Sequence, residues 1–275
     1  MKQAEQVYIT LGERPTRIAV NMRHSGNDLV LFLHGLGCAK ESFAGAFDCQ
    51  ALRGFTLCAF DFPGHGHSES DHDQDHSLPA YAAITRSLIE YLRSLWGASG
   101  RLFLVGHSMG GSVGLLAAQD IPSLTHYVSV EGNLIAEDCG LVSRWTANQL
   151  SDQFIEAGYR SFQRELVRSE RPDLRAWARW YSEAEPNAIH QSARSLVEWS
   201  DSGKLLNLFR ELPQAKTYVH GAEEDKRHLL PYLADYQVKC IPEAGHFLMV
   251  DNPYDFYGTL AETFSHPTSR PYAER

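Results

Sequence analysis

Gly106-His107-Ser108-Met109-Gly110 fits the pattern G-x-S-x-G. It follows the apolar run Arg101 to Gly106 (RLFLVG) and precedes a small-residue stretch, MGGSVGLLAAQD. The pattern therefore falls at a strand-to-helix junction, the context of a nucleophile elbow. A serine on such a tight, strained turn projects its hydroxyl, and side chains on either side would collide with the adjoining strand and helix, hence the glycines. The helix that begins there aims its first amides and its dipole at developing negative charge. Ser108 is the candidate nucleophile. Serine chemistry then needs a base, a group to orient that base, and donors for an oxyanion.

Thirteen histidines compete for the role of base. His246 follows the last strand-like run and lies between Gly245 and Phe247. A neutral imidazole with a pKa near 6.5 suits proton transfer from serine. His34 and His107 adjoin the first buried strand and the nucleophile, and are read as shaping the site. The run Asp71 to His76 reads as a solvated acidic loop, since no Cys/His ligand spacing supports zinc. For the orienting acid three residues stay open. Glu131 ends the apolar run of VSVEGN, where a buried carboxylate needs a partner and an imidazole N–H would serve. Glu224 and Asp225 lie in the mixed-charge run Glu223 to Arg227, a pattern more typical of a solvated surface.

Short apolar runs alternate with helix-length segments, which indicates an α/β chain with a mainly parallel sheet covered by helices. Val7 to Ile9 and Ile18 to Asn21 read as a strand pair. Leu29 to His34, Thr56 to Phe62, Arg101 to Gly106 and His126 to Val130 read as buried strands. Leu78 to Trp96 reads as a helix, with Tyr81, Ile84, Leu88, Leu92 and Leu95 at three- or four-residue spacing. From Asn133 to about Leu212 the strand rhythm stops and several aromatic-rich helices are expected. Strands resume at Lys216 to His220 and Tyr236 to Ile241, and a helix opens at Pro253. The domains are thus 1–132 with 213–275 as the sheet core, and 133–212 as a helical insertion.

Three more segments accompany GHSMGG in order along the chain: His34-Gly35-Leu36-Gly37, Asp61-Phe62-Pro63-Gly64-His65-Gly66-His67-Ser68, and Ala244-Gly245-His246-Phe247 before Asp251-Asn252-Pro253. Together they resemble the signatures of the α/β-hydrolase superfamily. The resemblance implies an eight-stranded sheet with a helical cap after the sixth strand, His246 as base, and an oxyanion hole of the Leu36 and Met109 amides. It usually places an Asp three residues after the glycine ending the seventh strand; here that position is Glu224, a departure. Some members, certain haloalkane dehalogenases among them, carry Glu after the sixth strand, where Glu131 stands. The stretch EGNLIAEDCGLVSR is also similar to a hydrolase subgroup sharing Glu-Gly-Asn.

A formal charge of −9 argues against nucleic acid or anionic membrane as main partner. MKQAEQVYIT has no apolar core of signal-peptide length, and five scattered cysteines without CxxC spacing suggest free thiols, so a cytoplasmic enzyme is expected. Cys58 and Cys240 sit in apolar runs and read as small core residues. No metal or dinucleotide fingerprint is present, so no cofactor is implied. Serine in place of Asp disfavours the dehalogenase and epoxide-hydrolase branches that the fold resembles. What remains is cleavage of an ester or related acyl bond of a small, largely apolar molecule, the aromatic insertion suggesting an apolar pocket. The alternatives are a slow-turnover small-molecule receptor, and a cofactor-free lyase or acyltransferase on the same fold. Oligomeric state is open.

Overall fold

A computed structural model describes residues 5–11, 16–71, 73–96 and 99–266. Strands β1 (Glu5–Leu11), β2 (Thr16–Arg23), β3 (Leu29–Leu33), β4 (Thr56–Phe60), β5 (Leu102–His107), β6 (His126–Val130), β7 (Ala215–Gly221) and β8 (Gln237–Ile241) form one sheet of order β1-β2-β4-β3-β5-β6-β7-β8. β1 and β2 are antiparallel, as is the β2–β4 pair; from β4 across to β8 every pairing is parallel. This is the α/β-hydrolase architecture that the motifs implied.

The central strands are buried on both faces because helices cover both. Leu29, Leu31 and Leu33 of β3 point into one apolar cluster, while Val30 and Phe32 point into the other. The helices are α1 (Ala44–Asp48), α2 (Leu78–Trp96), α3 (Met109–Ala118), α4 (Leu141–Ala147), α5 (Ser151–Gln153), α6 (Tyr159–Arg168), α7 (Pro172–Tyr181), α8 (Pro186–Asp201), α9 (Lys204–Glu211), α10 (Leu248–Asp251) and α11 (Pro253–Ser265). Leu88 and Leu92 of α2, Val113 and Leu115 of α3, and Phe209 of α9 fill the first cluster. Ala46 of α1 and Phe256, Leu260 and Phe264 of α11 fill the second. α4 to α9 all lie between β6 and β7, where no strand occurs among the described residues. None of the described helices is long and apolar enough to cross a membrane.

Several local expectations change. The fourth strand stops at Phe60, because Asp61 turns inward to accept hydrogen bonds from the Lys40 and His67 amides. Cys58 is buried, but Cys240 is exposed, since β8 is an edge strand with one face in solvent. All five cysteines are free thiols. In the acidic run His72 lies outside the described residues, and His76 is buried rather than solvated, its ring 3.1 Å from the Tyr81 hydroxyl.

Candidate active site

Parallel strands end at one edge, and the residues singled out from sequence gather there, in the crevice outside the carboxyl ends of the sheet. Ser108 stands between β5 and α3 at φ +52°, in the region of backbone space that β-carbons disfavour. Its N–H donates to the Val130 carbonyl at 2.8 Å, locking the turn to β6. A β-carbon on Gly106 would lie 2.2 Å from the Gly110 carbonyl oxygen, and one on Gly110 would lie 2.4 Å from that of Leu33. Both glycines are therefore required by backbone contact, as the spacing implied.

Three non-glycine residues have positive φ among the described residues: Ser108, Glu131 and Glu243. All three border this crevice in sequence: the elbow, the end of β6, and the turn leading to His246. Such strain persists where surrounding contacts over-determine it. For Glu131 those contacts are its own N–H on the Val219 carbonyl and the Gly221 N–H on its Oε1, each at 2.8 Å.

Glu131 Oε2 lies 3.7 Å from His246 Nδ1 and 2.5 Å from Lys226 Nζ. Burial by itself would push the carboxyl up; His246 and Lys226 outweigh it and hold the group below the usual glutamate range. The Glu224 carboxylate also reaches this point: an oxygen of each glutamate and a ring nitrogen of His246 lie within 4.8 Å of one another. Asp225 does not join them; it is exposed and pairs with Arg227 at 2.5 Å. The structure thus brings two of the three candidate acids to His246, and only Glu131 is buried and doubly anchored.

Glu131, Glu224 and His246 also have the spacing of a metal-ligand set, as do Glu41, Asp61 and His67. In each cluster a lysine ammonium already fills the cation's place: Lys226 on Glu131, and the buried Lys40 on Asp61 and Glu41 at 2.8 Å each.

Leu36 sits in the turn after β3, and Met109 is the first residue of α3, where helix amides have no partner within the helix. The two histidines read as shaping residues hold the neighbouring loops. His34 bridges the Gly35 carbonyl at 2.8 Å and the Phe62 N–H at 3.0 Å. Burial pushes the His107 ring down to about 3, so it is neutral, and its Nε2 donates to the His246 carbonyl at 2.9 Å.

A family model described as "Alpha/beta hydrolase family" matches residues 30–258, most of the chain. The chain belongs to the alpha/beta hydrolase family. Within it, a Mycoplasma pneumoniae protein named as an esterase/lipase is 34% identical over 86 residues, 31% of this chain and 30% of that protein. The human serine hydrolase BPHL is 28% identical over 149 residues, 50% of each chain. The chain thus spans about a third to a half of the length of these curated relatives. A solved thermophilic esterase from Thermogutta terrifontis superposes with a TM-score of 0.74 at 18% identity, covering 96% of this chain and 100% of that one.

In this α/β hydrolase the cavity beside Ser108 has a volume of about 490 Å³ and reaches from the turn after β3 to the inserted helices. A larger one, about 740 Å³, opens between α1 and α11 and contains none of the candidate residues. The lining near Ser108 is more polar than the aromatic-rich insertion suggested. Leu36, Leu174, Trp177 and Phe247 line it, but so do Glu137, Asp173 with its partner Arg171, Glu224 and Lys226. The physical reason is that most of the insertion's aromatics are spent on one another: Tyr159 stacks on Tyr181 at 4.8 Å, and Trp145 packs against Phe154 and Phe162. Trp177 packs on Phe162 at 5.2 Å but also lines the cavity. Its Nε1 donates to the Leu36 carbonyl at 3.1 Å, and its ring lies 5.4 Å from Phe247. Neither Lys226 nor Trp177 carries a motif that sequence reading could have caught.

Proposed function

We propose that this protein is a serine hydrolase that cleaves a carboxylic ester or related acyl bond of a small molecule through an acyl-enzyme. Ser108 attacks the carbonyl, His246 takes its proton and returns it to the leaving group, and Glu131 orients the imidazole and stabilises its cationic form. The amides of Leu36 and Met109 receive the oxyanion, where one donor is worth about 3 kcal/mol. Residues 133–212 act as a cap over the pocket, and the cell compartment proposed is the cytoplasm.

The observation that carries this reading is the strained Ser108 at the β5–α3 elbow, which shares one crevice with His246 and the buried, ionised Glu131. The 3.7 Å separation of His246 and Glu131 is longer than a hydrogen bond, and such contacts tighten when substrate binds. Leu36, Trp177 and Phe247 offer an apolar surface for an acyl chain, while Glu137 and Glu224 face the rest of the molecule. A cavity of about 490 Å³ suits a short or medium chain.

Hydrolysis of p-nitrophenyl acetate, butyrate and octanoate tests it. Sustained turnover by the wild type, best on the shorter esters, is the expected result. A single burst with a retained acyl group would favour a receptor, and product only with an added acceptor would favour a transferase.

A further inference from the structure

Glu131 offers one free oxygen to two partners. Its Oε1 is taken by the Gly221 N–H at 2.8 Å, which leaves Oε2 for both Lys226 and His246. Lys226 holds it at 2.5 Å while His246 Nδ1 stands at 3.7 Å. The lysine is not a wandering surface chain. Its side chain is 8% exposed against 0% for Glu131, and its carbonyl accepts the Leu229 and Leu230 amides at 2.9 Å each. Two charges buried together keep one another in place, because separating them strands either in a poorly solvated site.

We propose that Lys226 is a positioning residue that competes with His246 for Glu131 and so sets how strongly the carboxylate acts on the imidazole. The inference rests on the reading of Glu131 and His246 as acid and base. An ammonium on the shared oxygen offsets the negative charge that the imidazole sees, so the imidazolium formed during acyl transfer is stabilised less than by a free carboxylate. Other charged and titratable groups also approach His246. Glu224 comes from the same loop after β7, and neutral His107 from β5, its ring 4.9 Å away. Arg171, paired with Asp173, approaches Gly245 from the α6–α7 side, and Asp251 of α10 accepts the Gly245 N–H at 3.0 Å. Among these, Lys226 is the cation in direct contact with Glu131.

The test is the titration of the His246 ring by NMR in the Ser108→Ala protein, which needs no turnover. Lys226→Met is expected to raise the proton affinity of His246 about tenfold, one unit of pKa. Lys226→Arg, which keeps the charge, is expected to leave it in place. If Lys226→Met does not fold, Lys226→Gln removes the charge while keeping polar contact, and the same rise is expected. An unchanged or lowered affinity in the folded variant overturns the proposal. So does a rise of equal size in a Glu131→Gln background, which would mean that the lysine acts directly and not through the carboxylate. Because the titration is independent of hydrolysis, a wild type inactive on esters, together with the shift in the Ser108→Ala proteins, would count against the proposed function and for this inference.

Discussion

His246 faces two glutamates, and burial decides between them. Glu131 has no exposed side-chain surface and is held by a backbone amide, whereas Glu224 is half-buried. A fixed, desolvated carboxylate orients an imidazole at little entropic cost; a partly solvated one is screened by water. Glu131→Gln is therefore expected to lower kcat by about a thousandfold or more, since the base loses both its tautomer control and its counter-charge. Glu224→Gln and Asp225→Asn are expected to stay within about tenfold of wild type in the same ester assay. The reverse ranking would move the acid to the loop after β7. At this scale the sequence was only partly legible. Ser108 and His246 stood out because glycines and a turn flank them locally. The acid stayed open because Glu131 and Glu224, on different strand ends, meet only once β6 and β7 pair over residues 126–130 and 215–219.

Among the elements, α7 is the one that couples the inserted helices to the turn after β3. Trp177 donates to the Leu36 carbonyl on one side and packs against Phe247, the neighbour of His246, on the other. Pro172 at its first turn and Asp173 near its positive end favour the helix that carries this side chain. Trp177→Phe keeps a ring but deletes the donor, and a single neutral hydrogen bond is worth about 1 kcal/mol. The expected outcome is a fall in kcat of about fivefold with KM nearly unchanged, because in the proposed mechanism the turn it steadies receives the oxyanion rather than the ground-state substrate. A rise in KM alone would mean that Trp177 acts only through its contact with the acyl chain and not through its hydrogen bond to the turn after β3. Periodicity located the elements well: α2 spans Leu78–Trp96 and β6 spans His126–Val130, as the pattern indicated. It was silent on which aromatics would reach the pocket, because helical spacing identifies a buried face without saying what lies opposite it.

For the molecule as a whole, burial of neutral histidines governs response to acid. His34, His65, His76, His107 and His126 are all buried and all held below the ordinary value of 6.5, His107 at about 3 and His126 at about 4. Between those values and 6.5 the unfolded chain binds protons that the folded chain refuses, so stability rises with pH across this window. It is fully present above 6.5 and declines as pH falls toward 4. His107 alone costs about 2 kcal/mol of stability at pH 5, because that pH lies about 1.5 below 6.5 and each pH unit in the window is worth about 1.4 kcal/mol. The urea midpoint is expected to be clearly lower at pH 5 than at pH 7.5; equal midpoints would mean that these rings are solvated or paired when protonated.

Whether Ser108 attacks as a nucleophile is decided by covalent labelling. The protein would be incubated with a fluorophosphonate and followed by intact mass and peptide mapping, alongside Ser108→Ala. One adduct per chain on the peptide bearing Ser108, absent from the alanine variant, is the expected result. An unlabelled wild type, or equal labelling of both proteins, would contradict the assignment of Ser108 as the attacking group.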